Sequence, residues 1–80
     1  MTEIEQLWIN HMVKMGRTVV ILDRSGGTAI YKSWRDVETG SSRIFTVDVY
    51  YHVWDGKEHY VFPNVQEAQK LYEKRANERR

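Results

Sequence analysis

Cysteine is absent from this chain of 80 residues, which excludes disulfides and thiolate metal sites as sources of stability. No charge of one sign dominates, because twelve Lys and Arg face eleven Asp and Glu, so no strong overall field draws the chain to nucleic acid or an anionic membrane. No apolar run approaches membrane-spanning length. The opening stretch MTEIEQLW lacks the basic segment of a signal peptide. We therefore expect a soluble, cytoplasmic protein that does not enter a membrane.

Catalytic motifs are also missing from the sequence. There is no cysteine nucleophile, no G-x-S-x-G, no phosphate-binding loop and no pair of carboxylates forced into a shared apolar pocket. A chain this short also offers little room for a deep pocket. We expect a protein that is not an enzyme and that carries no cofactor.

Ten aromatic residues supply bulk for a core, and the length predicts a single domain over residues 1–80. Thr2 and Asn64 are each followed three residues later by Glu, the spacing of a helix N-terminal capping box. Gly16 is placed to end the first helix in a left-handed conformation. Runs rich in β-branched and aromatic residues predict four strands, at 17–24, 28–37, 43–54 and 59–62.

The resulting order, α-β-β-β-β-α with short connections, predicts an α+β fold. We expect an antiparallel meander with the two terminal helices packed on one face of the sheet. The first helix carries an apolar stripe that is wider than one face requires, which indicates two neighbours. These are the sheet and either the other helix or a partner chain, so a homodimer through this helix is one option. The stripe comprises Ile4, Leu7, Trp8, Ile9, Met12, Val13 and Met15.

The stretch TVDVYYHVW, residues 46–54, alternates two sets of side chains across a strand. Asp55-Gly56 predicts a type I′ turn that pairs Trp54 with Lys57 and His52 with His59. Valines then face the core, and the aromatic set faces away from both helices. We expect that second face to be exposed and to bind a protein partner. The alternative is that these aromatics only pack on one another across strands. The set comprises Tyr50, His52, Trp54, Lys57 and His59.

Residues 25–27, SGG, permit a turn of two or three residues between the first two strands. One residue more or less exchanges which of Tyr31 and Trp34 joins the aromatic face. We add Tyr31 and Arg35 to the candidate protein-binding set on this basis. The His52–His59 pair is the one arrangement that resembles a metal site. Asp48 lies roughly 13 Å along the strand from His52, so a third ligand is lacking and we predict no bound metal.

Nucleic-acid binding is the alternative function, because aromatics on a sheet can stack bases while basic groups hold phosphates. Its candidate residues are Arg17, Lys32 and Arg43 near the strands and Lys74, Arg79 and Arg80 on the last helix. The segment GKEHYVFPNVQEAQKLYEK resembles the hairpin and helix that end the arm-binding domains of tyrosine integrases. Its strand, cap and inward alanine recur wherever a strand leads into a helix, so the family is not assigned.

The leading hypothesis is a small non-enzymatic module that binds a protein partner of unknown identity and inhibits it. In size and lack of catalytic motifs the chain resembles small phage-encoded inhibitors of host defence, anti-CRISPR proteins among them. That resemblance is one of size alone, since a fold does not dictate a function.

Overall fold

The computed structural model describes residues 2–40 and 43–78. The elements in chain order are α1 (Glu3–Lys14), β1 (Arg17–Ser25), β2 (Thr28–Glu38), β3 (Ile44–Trp54), β4 (His59–Phe62) and α2 (Val65–Glu78). The strands form one antiparallel sheet in the order β1-β2-β3-β4. The predicted α+β class, element order and meander are therefore confirmed.

Short-range signals place the helix ends where the sequence predicts them. The Thr2 hydroxyl accepts a hydrogen bond from the Glu5 backbone N–H at 3.1 Å. Asn64 Oδ1 accepts one from the Glu67 N–H at 3.0 Å. These bonds satisfy amides that have no partner within the helix. Gly16 follows α1 with φ +84°, the left-handed conformation that glycine adopts without a steric cost.

The two helices cover opposite faces of the sheet, so the prediction that both pack on one face is wrong. Ala68 and Tyr72 of α2 pack against one face, which we call the α2 face. Trp8 and Ile9 of α1 pack against the other, which we call the α1 face. The α2 face carries Ile30, Tyr51, Val53, Tyr60 and Phe62, and the α1 face carries Ala29, Tyr31, Ser33, His52, Trp54, His59 and Val61.

The first half of β2 explains this three-layer arrangement. Its residues 28–31 are all buried. Successive side chains of a strand point to opposite faces, so four buried residues in a row require cover on both sides of the sheet. Ile30 receives that cover from α2, and Tyr31 receives it from α1. The apolar run in β1 does not receive the same cover, since Val20, Ile21 and Leu22 are exposed.

The β3–β4 connection is longer than the two-residue turn that the sequence predicts. Asp55 Oδ1 accepts hydrogen bonds from the backbone N–H groups of Lys57 at 2.9 Å and Glu58 at 2.8 Å. Trp54 consequently pairs with His59. The predicted pairing of Trp54 with Lys57 is therefore wrong by two residues. A shift of two keeps every side chain on its predicted face, so the division of β3 into two faces holds.

The β1–β2 turn has two residues, since Ser25 pairs with Thr28. Of the two turn lengths that the sequence permits, the structure has the shorter, and this places Tyr31 on the α1 face. The β2–β3 ladder is irregular between Ser33 and Arg35. Asp48 lies opposite that irregularity with φ +52°, a left-handed conformation that Asp tolerates better than most residues.

The ends of β2 and β3 extend beyond the other two strands. β1 pairs no further along β2 than Arg35, and β4 pairs no further along β3 than Tyr51. The remaining pairs join residues 36–38 to 44–46, and we call this part the β2–β3 ribbon. It contributes to the elongated shape of the molecule, 50 × 26 × 15 Å.

Candidate functional site

Trp8 of α1 covers the aromatic face that the sequence predicts to be exposed. Its ring centroid lies 4.9 Å from those of His52 and His59 and 5.5 Å from that of Trp54. Tyr31, His52 and Trp54 keep only 2%, 3% and 7% of their surface exposed. The expectation of an open aromatic face is wrong for these three residues, because α1 packs on it.

The other members of the candidate protein-binding set are more accessible. Tyr50 is 40% exposed, and the Arg17 guanidinium lies 5.5 Å above its ring. Arg35 is exposed and forms a 3.0 Å ion pair with Asp48. Lys57 is exposed in the β3–β4 loop, and His59 is half-buried. The structure thus divides the predicted set between a covered cluster and scattered surface positions.

A chain of hydrogen bonds connects four residues beneath and beside α1. Arg17 Nη2 donates to Ser33 Oγ at 2.9 Å. Ser33 Oγ lies 2.6 Å from His52 Nε2, and His52 Nδ1 lies 2.9 Å from His59 Nε2. Because Ser33 accepts from Arg17, its own proton is available to His52 Nε2. In that arrangement His52 carries its proton on Nδ1 and donates it to His59.

The electrostatics of the chain favour two neutral imidazoles. Burial, the neighbouring His59 and the Arg17 charge lower the pKa of His52 to about 4. Burial also lowers the pKa of His59. A protonated imidazole would be a donor at both nitrogens and could no longer accept from its neighbour. With Ser33 donating to His52 Nε2, the chain contains a neutral His52, in agreement with its lowered pKa.

Ser33 and His52 are the residue types of a hydrolase nucleophile and its general base, but Ser33 is not accessible from solvent. The nucleophile of such a pair must reach a substrate, whereas the Ser33 side chain is fully buried. His52 and His59 are hydrogen-bonded to each other. Within residues 2–40 and 43–78, no group of three or more potential ligands is placed to hold a metal ion. The hydrogen bonds join all four strands, through Arg17 of β1, Ser33 of β2, His52 of β3 and His59 of β4.

A second buried polar cluster holds the start of α1 on the sheet. Glu5 is fully buried, and its Oε2 accepts from both the Arg24 guanidinium and the Tyr31 hydroxyl. Arg24 Nη2 also donates to the Tyr31 oxygen at 3.0 Å. Burial and the bond to Glu5 raise the pKa of Tyr31 to about 12. The capping-box spacing indicates only a capping role for Glu5, although its position on the Trp8 and Ile9 side of α1 is a signal of burial.

The candidate nucleic-acid residues do not lie on one surface. Arg17 belongs to the α1 face, whereas the Lys32 ammonium lies 5.3 Å over the Trp34 ring on the α2 face. Arg43 is exposed next to the β2–β3 ribbon. Lys74 lines a groove with Phe62 and Leu71. Arg79 and Arg80 lie outside the described residues.

The most exposed large apolar groups of the helices lie on α1 and on Met15, the residue that caps its end. Ile4, Leu7 and Met15 are 65%, 61% and 63% exposed. Together with His11 they form a row along the helix, which we call the outer stripe. The row lies on the same flank of α1 as Trp8, which points over His59 of β4. The wide apolar stripe in the sequence predicted a second neighbour for α1, and in the fold this second side faces outward.

The chain matches no protein-family model, no curated protein and no solved structure. In the part of the chain that the structure describes, no helix is both long and apolar enough to cross a membrane.

Proposed function

We propose that this protein is a non-enzymatic interaction module that binds a protein partner through the outer stripe of α1. The observation that carries the proposal is the exposure of Ile4, Leu7 and Met15 beside the side of α1 that packs on the sheet through Trp8 and Ile9. Large apolar side chains along one line of a helix are the usual means by which a helix docks against a protein surface.

The energetics support this choice of surface. Burying apolar area contributes about 25 cal/mol per Å². A partner that covers these three large and mostly exposed side chains therefore gains a favourable free energy of binding. Contiguous exposed apolar patches on a small protein are typical of interaction sites. A module of this size can inhibit a larger partner by occupying one of its surfaces.

The aromatic face is not the surface we propose. Trp54 and His52 are packed beneath Trp8, so a partner could reach them only by displacing α1. The outer stripe needs no such rearrangement, and preformed surfaces bind without the cost of conformational ordering.

The test compares three baits made from the full-length chain: the wild type, Leu7→Glu and Val13→Glu. Both variants place a carboxylate at an exposed apolar position of α1, but at about 100° per residue Val13 lies far from the stripe. Proteins retained from a lysate by wild type and Val13→Glu should be lost from Leu7→Glu. Equal retention by all three baits contradicts the proposal. So does a salt-sensitive shift with oligonucleotides that Leu7→Glu leaves unchanged, since that indicates phosphate binding elsewhere.

A further inference from the structure

We infer that the outer stripe accepts a second copy of this chain, with the two α1 helices packed antiparallel about a twofold axis. The inference rests on the proposed function, which makes the stripe a docking surface, and it adds the identity of the occupant. Most soluble homo-oligomers are closed twofold dimers in which one patch meets itself. A patch can do so only if its charges and its apolar groups are both self-complementary.

The charges beside the stripe are self-complementary in one orientation only. Glu3 lies in the first turn of α1 and Lys14 in the last. They are eleven positions apart, which returns to nearly the same line of the helix at about 100° per residue. Antiparallel packing places each Glu3 opposite the Lys14 of the other copy, and does so twice. Parallel packing instead opposes like charges at both ends, which is destabilising.

The apolar groups are compatible with the antiparallel orientation that the charges select. Ile4 and Met15 are also eleven positions apart, so antiparallel packing sets Ile4 of one copy against Met15 of the other. Leu7 then meets His11 of the other copy, and the twofold axis crosses the outer stripe at the level of residue 9 along the helix. One axis therefore satisfies the apolar pairs and the charged pairs together.

The size of the patch sets the strength expected of the dimer. The stripe covers about three helical turns, or roughly 16 Å. A contact of that length along one side of a helix buries less area than the roughly 800 Å² per partner of a standard interface. We therefore expect a reversible dimer with a dissociation constant of about 1 to 100 μM.

Sedimentation equilibrium of the full-length chain, from about 1 μM to 500 μM to bracket that affinity, measures the dimer directly. Wild type should show a reversible monomer–dimer equilibrium. Leu7→Glu should raise the dissociation constant at least tenfold because it buries a carboxylate among apolar groups. Val13→Glu, on another side of the same helix, is the matched control and should leave the constant unchanged. Circular dichroism shows whether each variant keeps its helix content.

Two charge reversals test the antiparallel orientation. Glu3→Lys and Lys14→Glu should each weaken the dimer by about tenfold, since each turns two attractive pairs into repulsive ones. The two variants change the net charge in opposite directions, so a general charge effect would not weaken both. The double variant restores opposite charges across the axis and should dimerise like the wild type. In a parallel dimer, neither single reversal would add repulsion.

A wild type that stays monomeric throughout this range overturns the inference. So does a dimer that tolerates Leu7→Glu, or a double charge reversal that fails to restore association. These outcomes are separable from the proposed function. If the wild type is monomeric but a lysate protein is lost only from the Leu7→Glu bait, the stripe binds another protein and the self-association is wrong.

Discussion

The indole of Trp8 lies 4.9 Å from the imidazole of His52, measured between ring centroids. This contact joins α1 to β3 and closes the face of the sheet that alternation alone would leave open to solvent. Residues whose composition is typical of a binding surface are therefore buried, and they form a second core. The consequences for stability and for pH dependence can be measured.

Replacing Trp54 by alanine should destabilise the fold by about 3 kcal/mol or more, the usual cost of removing a buried aromatic. Trp54 packs against Trp8 and stacks on His59 with centroids 4.7 Å apart. Tyr50→Ala, on the same strand and face but 40% exposed, should cost no more than about 1 kcal/mol. Urea denaturation of both variants gives the comparison. Similar losses for the two would mean that α1 does not cover Trp54.

Acid should weaken the fold through His52. Its folded pKa is about 4, against an ordinary value of 6.5, so between these values the unfolded chain binds more protons. The contribution of His52 to the free energy of unfolding is therefore fully present above pH 6.5. As the pH drops toward 4, this contribution falls by roughly 2 to 3 kcal/mol. Urea midpoints at several pH values measure the loss.

Two histidine variants separate this effect from general acid destabilisation. His52→Gln removes the titrating group and should flatten the pH dependence of the free energy of unfolding. His59→Gln removes the other imidazole whose pKa is lowered by burial and should reduce the slope as well. An unchanged slope in His52→Gln would assign the acid sensitivity to other groups.

Removing Arg24 should be more harmful than removing Arg24 and the Glu5 charge together. Glu5 is fully buried, and Arg24 is its ion-pair partner. Arg24→Met leaves a buried carboxylate without its countercharge and should cost about 3 kcal/mol. The double variant Glu5→Gln/Arg24→Met should recover at least half of that loss. Urea unfolding of the four proteins completes the cycle, and equal losses in single and double variants would rule out the mechanism.

Gly56 should resist substitution although the turn around it differs from the predicted one. Its φ is +95°, a region that a β-branched residue enters only with strain. Gly56→Val should destabilise the protein by about 1 kcal/mol or more. Gly40→Val is the control, because nothing lies within 4 Å of a Cβ added at Gly40. Equal urea midpoints for the two variants would count against strain at Gly56.

The secondary structure could be predicted from sequence because its signals are local. Thr2 and Asn64 act on amides three residues away, and the glycine-rich turns separate strands whose composition is distinctive. The β3–β4 register could not be predicted in the same way. Asp55 folds back on two amides of the loop, which lengthens the turn, and Asp-Gly is compatible with either length.

The placement of the helices could not be predicted from their own sequences. An apolar stripe shows that a helix packs on something, but not on which face of the sheet. The decisive signal lay in the strands, where β2 is apolar at both Ile30 and Tyr31. The hydrogen-bond chain through Ser33 could not be predicted from the sequence for a different reason. It depends on the β2–β3 register, which changes at Asp48, and no residue pattern marks that change.

The β2–β3 ribbon is a suitable place to insert a label or a tag. Its residues 36–38 and 44–46 pair with each other beyond the last pairs of β1 and β4, so neither helix-covered layer depends on the length of this hairpin. Exposed hairpin ends are the places where folded chains accept inserted sequence with the least disturbance. A fluorescent reporter or an affinity tag placed between β2 and β3 would leave the outer stripe of α1 unobstructed. The ribbon is thus the natural attachment point for a labelled form of this protein.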